Sequence, residues 1–73
     1  MSETFQDRIT ILINENDLSQ REAAEKIGTS RGVIKSCLDG RSPKVGVLIK
    51  ICRVFDVSAD WLLGLSDERR SGE

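Results

Sequence analysis

Arg31, Lys35, Arg41 and Lys44 lie close together in the chain, with Asp39 as the one acid between them. The stretch from Arg31 to Lys44 therefore carries +3, while the rest of the chain carries −4 and the whole −1. A small net charge hides a local positive field. These residue types suit a polyanion that also presents flat hydrogen-bonding edges. The planar fork of Arg31 matches O6 and N7 of guanine. Lys35 reaches either a guanine edge or a phosphate, and Ser36 can read a base edge weakly. Gly32 offers only space or close backbone approach. Arg41 and Lys44 suit phosphate contacts, as does Arg21 further up the chain. Val33 either packs at the edge of a core or touches a thymine methyl. The competing reading is a merely solvated charged face.

The elements that must position these groups are read from Leu18 to Gly40, LSQREAAEKIGTSRGVIKSCLDG. Ser19 can N-cap a helix, and Glu22 completes a capping box. Ala23, Ala24 and Ile27 share one face of that helix. Gly28 follows where a helix end favours a left-handed residue. Ser30 then caps a second helix with Ile34, Cys37 and Leu38 facing inward. Asp39-Gly40 ends it. Two helices joined so closely cross steeply, and Ala24 is small enough for the crossing. The pattern is a helix-turn-helix, whose second helix enters the DNA major groove. Arg31, Gly32, Lys35 and Ser36 fall on that helix, away from its inward face. Arg21 sits near the start of the first, where a helix N-terminus favours an anion.

Seventy-three residues suffice for one small domain, and 38% apolar composition supports a compact core. Cys37 and Cys52 both fall on inward faces and read as buried free thiols of a cytoplasmic protein. There is no histidine, so zinc would lack its commonest partner ligand. No phosphate-cradling glycine loop or metal cluster is visible, and little chain remains to wall a pocket. An enzyme is the least favoured class, and no cofactor is expected. No run is apolar and long enough to span a membrane, and no signal peptide is visible.

The rest of the chain supplies three more helices. Thr4 can cap the first, running to about Asn14 or Asn16 with Phe5, Ile9, Leu12 and Ile13 on one stripe and Ile11 partly exposed. Met1 to Glu3 should fray. After the helix-turn-helix, Ser42 can cap a helix with Pro43 in its first position, ending near Phe55. That helix is apolar nearly all round, so it is either the central strut of the core or partly covered by a second subunit. Ser58 caps a last short helix from Ala59 to about Leu63, with Val57 and Leu62 as a staple. Trp61 either closes the core or forms a dimer contact.

With these elements placed, the chain resembles the Cro/phage-repressor type of helix-turn-helix protein, the XRE family. The resemblance rests on Leu18-Ser19-Gln20, Ala23-Ala24, Ile27-Gly28, Ser30-Arg31, Ile34, Asp39-Gly40 and the closing Val57-Ser58-Ala59-Asp60-Trp61-Leu62-Leu63. It covers about Phe5 to Leu65. It implies an all-α, five-helix lambda-repressor-like DNA-binding domain over residues 1–65, with a polar, disordered tail over 66–73. It implies double-stranded DNA as partner and a homodimer regulating transcription. It also implies that Gln20 binds a phosphate and braces Arg31. Three departures stand out. Asp39 replaces a frequent Asn, the loop from Arg41 to Lys44 is about one residue short, and Gly32 occupies a position that often bears a base-reading side chain. A protein-interaction module on the same fold, antitoxin-like or anti-repressor-binding, is the alternative, to which the net acidity, Asp39 and Gly32 give some weight.

Overall fold

The computed structural model describes residues 3–70. It contains five helices: α1 (Phe5–Glu15), α2 (Gln20–Ile27), α3 (Arg31–Leu38), α4 (Val45–Phe55) and α5 (Ala59–Leu62). No strand occurs among the described residues. The expected all-α architecture of five short helices is what the chain adopts.

Local chemistry explains where most helices start. Thr4 Oγ1 accepts from the Asp7 amide at 3.3 Å, and the Asp7 carboxylate accepts from the Thr4 amide at 3.0 Å. Ser19 and Glu22 form the same reciprocal pair at 3.0 and 2.9 Å. Ser30 accepts from the Val33 amide, and Ser58 from the Trp61 amide. Each cap satisfies donors that the helix itself leaves open. Gly28 ends α2 at φ 87°, a conformation that disfavours a Cβ. The amides of Gly28 and Thr29 both donate to the Ala24 carbonyl, which closes the tight turn into α3.

The start of α4 differs from the sequence expectation. Ser42 does not cap it, and Pro43 is not its first residue. The N-cap position is Lys44, extended at ψ 156°, with no side-chain cap. Pro43 is half-buried in a groove beside α3. The loop thus follows α3 two residues further before the helix begins.

Ile9, Leu12, Ile34, Ile51 and Leu62 are at most 1% exposed and form the centre of the core. Ala23, Ala24 and Ile27 bring α2 onto it, and Ala24 is buried as expected of a small residue at a steep crossing. The helix α4 is not the central strut. Only Ile51 is fully buried on it, while Val47, Leu48, Cys52, Val54 and Phe55 cover the core from outside.

Trp61 is buried and closes the core, so the dimer-contact alternative fails for this residue. Its indole lies against two guanidinium groups, Arg8 and Arg69, each 4.9 Å from the ring centroid. Arg8, on the apolar side of α1, is itself buried. It donates to the carbonyls of Trp61 and Ser66, both at 2.6 Å, and to Glu3 and Asp67 at 3.1 and 3.3 Å. Burying a charge is tolerated when it is paired and hydrogen-bonded, and each of the three guanidinium nitrogens of Arg8 has a partner. Residues Ser66 to Arg70, expected as tail, pack back on the domain. The Arg69 carbonyl accepts from the Ser58 amide at 2.8 Å, and the Arg69 guanidinium forms a two-toothed pair with Glu15. The expected frayed Met1 and Ser2, and the end of the tail at 71–73, lie outside the described residues.

Candidate nucleic-acid interface

The N-terminal ends of α2 and α3 frame an open cleft of about 500 Å³, lined by Ser19, Gln20, Arg21, Arg31 and Lys35. Four of the candidate residues thus meet in one place. Gln20 and Arg21 come from the first turn of α2, Arg31 and Lys35 from successive turns of α3. All four side chains are exposed. Ser19, which also lines the cleft, is occupied by capping α2. Gln20 lies beside Arg31 in the cleft but makes no hydrogen bond to it among the described residues.

The charged side chains that line this cleft are all basic. Arg31 opens α3, where the macrodipole disfavours a cation, and no acid in the first turn offsets it. The four ion pairs among the described residues use Arg8, Arg69 and Arg70. Arg21, Arg31, Lys35, Arg41 and Lys44 enter none. No ion pair inside the protein engages these cations, and their side chains remain exposed.

A second groove, of about 350 Å³, runs along the next strip of α3. Gly32, Val33 and Ser36 form one side, Pro43, Lys44 and Val47 the other. Ser36 and Val33 are half-buried there. Arg41 is exposed in the loop and lines neither groove. Asp39 is exposed and makes no ion pair with Arg41, so the acid stands open beside the basic strip.

Two side chains that hold the motif in place left no signal in the sequence around it. Lys50 of α4 donates to the Gly28 carbonyl at 3.3 Å, pinning the turn between α2 and α3. Gln6 of α1 donates to the Leu38 carbonyl at 2.7 Å, satisfying the C-terminus of α3. The inward residues Ile34 and Cys37 are buried, as expected. Cys37 is buried and Cys52 half-buried, and burial pushes both thiols above their ordinary value, which disfavours the thiolate. No group of three or more potential metal ligands occurs among the described residues. None of their helices is long and apolar enough to cross a membrane.

The sequence profile of the helix-turn-helix family matches residues 9–62. The chain is also 31% identical over 62 residues to a Bacillus subtilis (strain 168) protein, the uncharacterized HTH-type transcriptional regulator YobD. That match covers 84% of this chain and 55% of the relative, so the chain spans about half of that protein's length. No solved structure matches the chain. From the first turn of α1's buried stripe to the end of α5, then, this chain belongs to the helix-turn-helix family, in keeping with its Cro/phage-repressor resemblance.

Proposed function

We propose that the protein is a sequence-specific transcriptional regulator of double-stranded DNA, a small repressor of phage or prophage type that reads the major groove with α3 as a homodimer. The observation that carries this reading is the cleft between α2 and α3. There Arg21 and Arg31, from the first turns of two helices, meet Lys35 of α3, and none of the three enters an ion pair. Helix N-termini and unpaired cations together form an anion site, and α3 is the right width for the major groove. Arg31 reads a guanine edge, with Lys35 and Ser36 further along the same helix and Gly32 allowing close approach. Gln20, Arg21, Arg41 and Lys44 hold phosphates on either side of the base-reading helix. No small-molecule cofactor takes part, and the work is done in the cytoplasm with the DNA.

The dimer reading is supported by Val45 and Ile49, which stand 72% and 47% exposed one turn apart on α4. Leu63 and Leu65 add apolar surface after α5. A second copy would cover such surface, and a two-fold dimer would reach half-sites about one helical turn apart. The name carried by YobD, a transcriptional regulator, agrees with the role.

Selection of bound duplexes from a random DNA pool at near-physiological salt tests the proposal. The expected result is an enriched palindrome, whose half-site spacing gives the dimer geometry. Weak, salt-sensitive binding without enrichment would overturn it and favour a protein partner on the same surface.

A further inference from the structure

Gln6 lies in the first turn of α1, yet its side chain serves the far end of α3. Its Nε2 donates to the carbonyl of Leu38, the last residue of α3, at 2.7 Å. That carbonyl is one the helix itself leaves open. The same amide lies across Gly40, where a Cβ would stand 3.2 Å from Gln6 Oε1 and 3.6 Å from its Cδ. Gly40 has φ 96°, so its conformation and the amide above it both disfavour a side chain. The backbone bonds of this turn are local: Asp39 N–H to Lys35, Gly40 N–H to Cys37 and Arg41 N–H to Ser36. They close the turn on itself and tie it to nothing else. Gln6 ties it to another helix, and Arg41 follows directly on the residue that its amide covers.

The stability that this bond adds is small. Gln6 is exposed, and water competes for both partners. The burial of α3 comes instead from Ile34 and Cys37, on its inward face. Apolar burial is non-directional and leaves the tilt of an eight-residue helix loosely set. A short hydrogen bond at one end has a preferred direction and removes that freedom. A recognition surface needs its contact groups held to within about 0.5 Å, by supporting groups that do not themselves touch the ligand. We infer that Gln6 is a positioning residue for sequence discrimination. From α1 it fixes the end of α3 and the turn to Arg41, so that α3 and the loop keep one register on the duplex. The inference rests on the DNA-binding reading proposed above.

The test uses the full chain and the variant Gln6→Met, which keeps the side-chain length and removes the donor. Binding to the duplex enriched in the selection experiment and to a scrambled duplex is titrated at fixed salt by fluorescence anisotropy. The ratio of the two affinities should fall about fivefold, as for residues that act on a site without touching its ligand. Affinity for the scrambled duplex should stay within about twofold, because non-specific binding rests on charge, which this variant leaves unchanged. The urea unfolding midpoint should stay close to that of the parent. An unchanged ratio would overturn the inference and leave major-groove reading intact. Equal losses on both duplexes would also overturn it. At the parent's midpoint they would make Gln6 a phosphate contact, and at a lowered midpoint a residue of the fold alone. A pool yielding no enriched duplex would overturn both readings together.

Discussion

Arg8 and Arg31 are the same residue type on helices of one small domain, yet their surroundings are opposite. Arg8 is 3% exposed and donates to Glu3, Trp61, Ser66 and Asp67, with the Trp61 ring against its face. Arg31 is exposed and has no side-chain partner among the described residues. The guanidinium of Arg8 is bound to the fold because every donor taken out of water must be satisfied. Arg31 sits at a helix start that electrostatically disfavours it, with nothing inside the protein to offset this. Counting basic residues would treat the two alike; their partners separate an arginine bound into the fold from one the fold leaves exposed.

Replacing Arg8 should give the largest effect. Arg8→Ala takes a donor from the carbonyls of Trp61 and Ser66 and opens a cavity beside Trp61, for a loss of about 3 kcal/mol. Urea unfolding followed by the fluorescence of Trp61, the lone tryptophan, measures it directly. A midpoint equal to that of the parent would erase the distinction between the two arginines.

Arg31→Ala should behave in the opposite way. Affinity for the selected duplex should fall by roughly 1–3 kcal/mol and preference relax at one base pair. Stability of the free protein should stay the same or rise by a few tenths of a kcal/mol, since a cation leaves the helix N-terminus. An equal loss on all sequences would assign Arg31 to phosphate.

Lys44→Ala sharpens the comparison further. Binding should weaken about uniformly across sequences, and the log–log salt dependence should flatten by about one unit. An unchanged slope would remove Lys44 from the phosphate contacts.

The smallest effect lies in the clasp around Trp61. Hydrogen bonding from the Arg69 guanidinium holds the Glu15 carboxyl below its ordinary value of 4.5. A carboxyl depressed by folding stabilises the native state above its ordinary value, and that contribution disappears as pH falls through the lowered one. The pair is exposed, so screening keeps its contribution modest. Glu15→Gln should therefore lower the urea midpoint slightly at pH 7, and the difference from the parent should vanish in acid. A difference that persists well below pH 4.5 would mean that the clasp works through packing alone.

The same contrast divides what the sequence made legible from what it hid. Ser19, Glu22, Gly28 and Ser30 act on neighbours three or four residues away, so the helix-turn-helix could be placed from types and spacing alone. The exposed cations followed, because α3 has one inward face and the candidates lay off it. Ser42 and Pro43 carried the right local chemistry for a helix start, but packing along α3 displaced that start to Val45. Other features had no local signature. Arg8 is buried because Trp61 and Ser66, more than fifty residues on, supply its acceptors. Lys50 reaches the Gly28 carbonyl from another helix. The groove beside Gly32 exists only because the loop brings Pro43 and Val47 against α3. The sequence by itself determined the five helices, the caps of all but α4 and the strip that carries charge, since these depend on short-range hydrogen bonds and periodicity. The tertiary structure decided which cations are spent on the fold and which stay free, because a charge's partners come from wherever packing brings an acceptor.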